Sequence, residues 1–78
     1  MTSGVDLVRR MLIDDLGFVG DPSDLSEDRD LIEDAIVDSL GIVRLVQLLE
    51  DRHGVEIADE DLEPETFSTV AAIARLLP

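Results

Sequence analysis

Val37-Asp38-Ser39-Leu40-Gly41-Ile42-Val43-Arg44-Leu45-Val46-Gln47-Leu48-Leu49-Glu50-Asp51-Arg52-His53-Gly54 reads as one helix with a marked beginning and end. Asp38 suits the N-cap, because its carboxylate can accept the unpaired amide hydrogens of a first turn. Gly54 suits the position after the last turn, because glycine enters the left-handed conformation that ends a helix. At about 100° per residue, Ile42, Leu45, Val46 and Leu49 share one arc, as a core face requires. Leu40 and Val43 fall off that arc, beside Ser39. A single serine thus stands at the mouth of an amphipathic helix with surplus apolar residues around it.

Outside this helix, the composition sets bounds. Seventy-eight residues make one domain over positions 1–78, with room for a modest core and none for a deep catalytic cleft. There is no cysteine, so neither disulfides nor thiolate metal sites are expected. No apolar run approaches the roughly 20 residues that span a bilayer, and no basic-then-apolar leader is visible. The expected location is cytoplasmic. Nineteen acids face six bases, all arginine, for a net charge of −13. Such a chain repels nucleic acid and anionic membranes and attracts basic protein surfaces. Hydrophobic residues make up 45% of the chain and recur with helical period, which argues against disorder.

Met1 to Gly4 is expected to fray. Val5, Val8, Met11 and Leu16 then form a helical stripe, with Ser3 as cap and Gly17 as terminator, which predicts a helix over roughly Val5–Leu16. Phe18 to Val37 is a long connection containing the turn cluster Gly20-Asp21-Pro22-Ser23-Asp24. Leu25, Leu31, Ile32, Ile36 and Val37 are spaced to anchor it, with a short helical turn near Leu31. After the central helix, Asp59-Glu60-Asp61-Leu62 reads as a short helical turn capped by Asp59 and ended by Pro64. Thr66 or Ser68 starts a last helix whose apolar face is Phe67, Val70, Ile73, Ala74 and Leu77. The expected fold is all-α, a small four-helix bundle of three main helices and one short one.

Self-contained chemistry is poorly supported. Ser39 needs a base within hydrogen-bond reach to act as a nucleophile. The sole histidine, His53, lies fourteen residues along the same helix, about 21 Å away at 1.5 Å per residue. There is no lysine to replace it, and a capping Asp38 is a weak base. Asp59-Glu60-Asp61-Leu62-Glu63 is rich in carboxylate but lacks the spacing of a calcium loop, and reads as a solvated face with no metal site. His53 suits a helix C-terminus, where the backbone carries partial negative charge.

The combination is more specific than its parts. It joins a long acidic connection ending in Val37-Asp38-Ser39-Leu40, the run Leu45-Val46-Gln47-Leu48-Leu49-Glu50, then His53-Gly54-Val55-Glu56-Ile57 and Glu65-Thr66-Phe67-Ser68-Thr69-Val70. From helix I to Leu77, and most strongly over Asp34 to Ile73, the chain resembles the acyl carrier protein family, including its peptidyl and aminoacyl carriers. The resemblance implies a four-helix bundle with a short third helix. It implies that Ser39 carries a 4′-phosphopantetheine arm, transferred from coenzyme A by a phosphopantetheinyl transferase, whose thiol holds acyl or aminoacyl groups as thioesters. The chain would then be a non-catalytic, monomeric carrier. An adenylate-forming ligase or acyltransferase would load it, and downstream synthase or tailoring enzymes would use the cargo.

Under the same resemblance, Asp38 helps present Ser39 to the transferase. Glu50, Asp51, Glu56 and Ile57 fall at partner-facing positions. Arg44 and Gln47 belong to the same partner-binding set, with Arg44 as a positive charge inside the docking face. Leu40 and Val43 become the apolar edge of that surface or a lip for the tethered chain. Gly41 and Arg44 depart from the pattern of fatty-acid-synthesis carriers, which are typically acidic there, and Gln47 stands where an apolar residue is common. These departures point to a discrete carrier in a specialised pathway of the polyketide or nonribosomal peptide type. An acidic adaptor that binds through the same helix face without any covalent arm is the competing reading. It is distinguished by indifference to Ser39.

Overall fold

The computed structural model describes residues 3–77. The frayed end expected over Met1–Gly4 lies outside the described residues for Met1 and Thr2, whereas Gly4 already belongs to the first helix. Three α-helices follow in order: α1 (Gly4–Asp14), α2 (Ser39–His53) and α3 (Val70–Ala74). Short 3-10 turns at Pro22–Asp24, Asp59–Asp61 and Pro64–Phe67 complete the fold, and no strand occurs among the described residues.

Local chemistry explains most boundaries. Ser3 Oγ accepts the Asp6 N–H at 3.1 Å and starts α1. Asp38 Oδ1 accepts the Gly41 N–H at 2.8 Å and starts α2. Gly54, at φ +65°, ends α2; its N–H and that of Val55 both turn back to the Leu49 carbonyl. The last helix, Val70–Ala74, starts later than either Thr66 or Ser68 would place it and is only five residues long. Its cap is Thr69, whose Oγ1 accepts the Ala72 N–H at 3.1 Å, rather than Thr66 or Ser68. Ser68 instead donates its hydroxyl to the Glu65 carbonyl, and its own carbonyl accepts the Leu31 N–H at 2.7 Å.

Two further expectations are corrected in the same region. The turn Asp59–Asp61 is preceded by Ala58 as its cap residue, and Asp59 makes no side-chain cap bond. Pro64 does not close that turn but opens the next one, Pro64–Phe67. Its fixed φ and missing N–H suit a first helical position.

The core is a single cluster. Val8, Met11 and Leu12 come from α1, Leu45, Leu48 and Leu49 from α2, and Val70 and Ile73 from α3. Leu25, Leu31, Val37, Val55 and Phe67 are supplied by the connections. The buried stripe of α2 is rotated relative to the sequence-derived arc: Leu48 joins it, while Ile42 and Val46 are only half-buried at its edge. α1 and α3 pair closely. A β-carbon on Gly4 would come within 3.6 Å of Ala74 Cβ, so small residues set that close approach.

The long connection is ordered by specific bonds. Arg9 Nε donates to the Leu25 carbonyl at 2.8 Å, and Arg29 reaches both the Asp24 carbonyl at 2.7 Å and Asp34 Oδ2 at 2.8 Å. The Ala71 N–H donates to the Glu27 carbonyl at 3.2 Å. The turn expected near Leu31 is present as a single capped turn. Asp30 Oδ1 accepts the N–H groups of Ile32 (3.1 Å) and Glu33 (2.9 Å). The turn closes when Ala35 N–H bonds to Ile32 O and Ile36 N–H to Leu31 O, a paired closure normally given to glycine.

Ala35 sits there at φ +59°. An L-residue in this conformation costs about 1–2 kcal/mol, and the extra freedom of unfolded glycine offsets about 0.4–1 kcal/mol of any relief. Ala35→Gly is therefore expected to stabilise the fold by about 0.5 kcal/mol, raising the melting temperature by about 2–4 °C. A lower melting temperature by calorimetry would refute strain at this turn.

Candidate functional site: the mouth of α2

Ser39 is the first residue of α2 and is exposed. Among the described residues no hydrogen bond engages its hydroxyl. Position and capping follow from Asp38, whose engagement with Gly41 is worth about 1 kcal/mol to the helix and fixes where the first turn begins. His53 is the last residue of the same helix. Ser39 and the only imidazole therefore occupy opposite ends of one rigid rod, and this chain provides Ser39 with no histidine base.

The exposed face of α2 carries the other residues singled out from sequence. Leu40 is 79% exposed and Val43 54%. Arg44, Gln47, Glu50 and Asp51 are exposed as well, and so is Asp38 at the cap. Ser39, Val43, Gln47 and Glu50 fall within one 80° sector at about 100° per residue. Glu56 is exposed and Ile57 half-buried in the segment after α2.

Two surface grooves are lined in part by residues of α2. One, of about 310 Å³, is lined by Ile42, Val43, Val46, Gln47 and Leu62. The other, of about 360 Å³, lies toward α1 and is lined by Asp15, Leu16, Ile36, Asp38, Leu40 and Arg44 among others. The structure thus brings Val43 together with Gln47, and Asp38 and Leu40 together with Arg44. Glu50, Asp51, Glu56 and Ile57 line neither groove. Sequence reasoning missed Leu62, which is 47% exposed, and the contributions of Leu16 and Ile36. The one available signal was Leu62 interrupting an acidic run.

Gly41 packs under this mouth. A β-carbon there would meet Val37 Cγ1 at 3.3 Å and Leu16 Cδ2 at 3.4 Å, so the segment just after α1 lies close against the first turn of α2. Arg52 adds a second tie between the two helices through Asp15 Oδ2 at 3.1 Å. Among the described residues no cluster of His, Asp or Glu is arranged to hold a metal ion, and no helix is long and apolar enough to cross a membrane.

The surface charge is unbalanced. Ion pairs engage Arg9, Arg29 and Arg52 among the described residues, against nineteen acids in the sequence. The molecule measures 30 × 30 × 19 Å. At about 10 mM salt the screening length is about 30 Å, so carboxylates repel across the whole body; at about 0.5 M it is a few ångströms. Raising NaCl between these limits is expected to increase the melting temperature by about 4–8 °C, equivalent to about 1 kcal/mol. A flat salt series would show that the folded state already balances its charge.

Comparison with known proteins identifies a family. The family model described as the phosphopantetheine attachment site matches residues 6–77. The acyl carrier protein of Wolinella succinogenes is 32% identical over 72 residues, covering 92% of this chain and 90% of that protein. The acyl carrier protein of Chlamydia trachomatis is 36% identical over 58 residues, covering 74% of this chain and 73% of the relative. That of Rhodococcus erythropolis is 38% identical over 42 residues, covering 54% of this chain and 46% of the relative. The all-α fold, the match across nearly the whole chain and these relatives together place the chain in the acyl carrier protein family, whose members are carriers with a phosphopantetheine attachment site rather than catalysts.

Proposed function

We propose that Ser39 is the attachment residue for 4′-phosphopantetheine and that residues 1–78 act as a single discrete carrier domain. The observation that supports this most directly is the exposed, unbonded Ser39 hydroxyl at the first position of α2. Attachment there breaks no internal hydrogen bond among the described residues. The positive end of the α2 dipole, with first-turn amides unsatisfied within the helix, suits an anion bonded to Ser39. When bound, the arm supplies a thiol that holds an acyl or aminoacyl group as a thioester. A phosphopantetheinyl transferase supplies the base that this chain lacks, and coenzyme A supplies the arm.

Asp38 holds the Ser39 mouth in place, while Leu40 and Val43 offer apolar contact to docking enzymes. Arg44, Gln47, Glu50, Asp51, Glu56 and Ile57 complete the proposed partner-facing set. A surface of net charge −13 favours fast, salt-sensitive encounters with basic partners. Gly41, Arg44 and Gln47 support service in a specialised polyketide or nonribosomal peptide type of pathway rather than in housekeeping fatty-acid synthesis. An adenylate-forming ligase or acyltransferase loads the cargo, and downstream synthase or tailoring enzymes consume it in the cytoplasm.

The test is intact-protein mass spectrometry after incubation with coenzyme A, magnesium and a broad-specificity transferase. The expected result is a gain of one phosphopantetheine that peptide mapping assigns to Ser39. No gain by a folded chain, beside an active control carrier, would favour the adaptor reading.

A further inference from the structure

The groove between α1 and the mouth of α2 contains one uncommitted charge. Asp38 Oδ1 is engaged by the Gly41 N–H at 2.8 Å, and Asp15 Oδ2 by Arg52 at 3.1 Å. Both carboxylates that line the groove are therefore used within the fold. Arg44 is exposed and, among the described residues, forms no ion pair. Its guanidinium belongs to a mixed groove that Leu16, Ile36 and Leu40 also line. The other arginine of α2, Arg52, is held by Asp15, and the remaining exposed charges of the helix, Glu50 and Asp51, are negative.

A surface attracted to so acidic a chain is basic, and a basic surface laid over α2 meets like charge at Arg44. A carboxylate-bearing side chain relieves that conflict. Its stem meets the side chains of Leu16, Ile36 and Leu40, and its two oxygens match the guanidinium fork. We propose that Arg44 is a partner-selecting residue: the groove seats an aspartate or glutamate of the cognate enzyme's docking surface and discriminates against docking surfaces that are basic throughout. The inference rests on the carrier reading above and adds to it the chemistry of the partner.

The test measures kcat and KM for modification by a transferase with a uniformly basic docking surface, at about 20 mM and about 0.5 M NaCl. The proteins compared are wild type, Arg44→Gln, Arg44→Glu and Arg75→Glu, each verified as folded by circular dichroism. Arg75 is exposed, does not line the groove, and its reversal changes net charge by the same amount. KM at low salt should fall from wild type through Arg44→Gln to Arg44→Glu, about tenfold in total. The difference should collapse at high salt, leave kcat nearly constant, and be much smaller for Arg75→Glu.

A Lys/Arg→Glu scan of the transferase's docking surface should then yield at least one variant that prefers wild type to Arg44→Glu. Equal KM values, a rise in KM, an equal effect of Arg75→Glu, or a scan without such a reversal would overturn the proposal. Failure of wild type to be modified at all would instead overturn the carrier reading on which it rests.

Discussion

Ser39→Ala leaves a folded chain that accepts no phosphopantetheine: this is the expected result, and it is all-or-none. Alanine removes the one oxygen that can form the phosphodiester, so the mass gain at this residue should vanish rather than slow. The fold has little reason to respond. Ser39 is exposed at the first helical position, its hydroxyl makes no internal hydrogen bond among the described residues, and Asp38 still caps the turn. Alanine is also the best helix former, so unfolding free energy should stay within about 0.5 kcal/mol of wild type. Urea melts and intact mass measured on the same sample check both halves. A modified Ser39→Ala chain would move the attachment site to another hydroxyl.

The largest effect on stability is expected at Phe67. It is the most voluminous of the fully buried side chains, and it is supplied by a 3-10 turn, not by one of the three α-helices. Truncating a buried phenylalanine to alanine costs about 3–5 kcal/mol through lost transfer energy and the cavity left behind. A chain of this size has about 4–12 kcal/mol of total stability. Phe67→Ala should therefore lose a large part of its stability, with a much lower urea midpoint and melting temperature. Phe67→Leu, which keeps most of the volume, should retain a cooperative transition. A melting temperature for Phe67→Ala within a few degrees of wild type would show that the core closes around the missing ring.

The parts of this fold that could be read from sequence are those decided within a few residues. Ser3, Asp38 and Gly54 act as expected because a cap and a left-handed terminator need only their own turn. The start of α3 was harder to read, because Thr66, Ser68 and Thr69 are all competent caps. The choice depends on distant partners: Phe67 enters the core, and the Ser68 carbonyl is taken by Leu31. Ala35 is a different case: its left-handed turn is closed locally, between Leu31 and Ile36, but alanine is not the residue type that signals that conformation. Leu48 lies outside the arc that periodicity alone gives, because the burial of α2 depends on where the α1–α3 pair lies.

The site divides in the same way. Ser39 and the exposed Leu40 and Val43 follow from one helix and its period. The grooves beside them do not, since Leu16, Ile36 and Leu62 arrive from separate segments and only packing unites them.

The close approach of Gly4 to α3 has a topological consequence. A β-carbon at Gly4 would lie 3.4 Å from Leu77 Cδ1, so positions 4 and 77 leave the body at one patch. Polypeptide attached on either side emerges from the same place, which makes the unit easy to insert into a loop of another protein. The same neighbourhood favours circular permutation. A short glycine-serine bridge could join position 77 to position 3, keeping the Ser3 cap, with new ends opened beside the exposed Val19, and every helix would remain uncut.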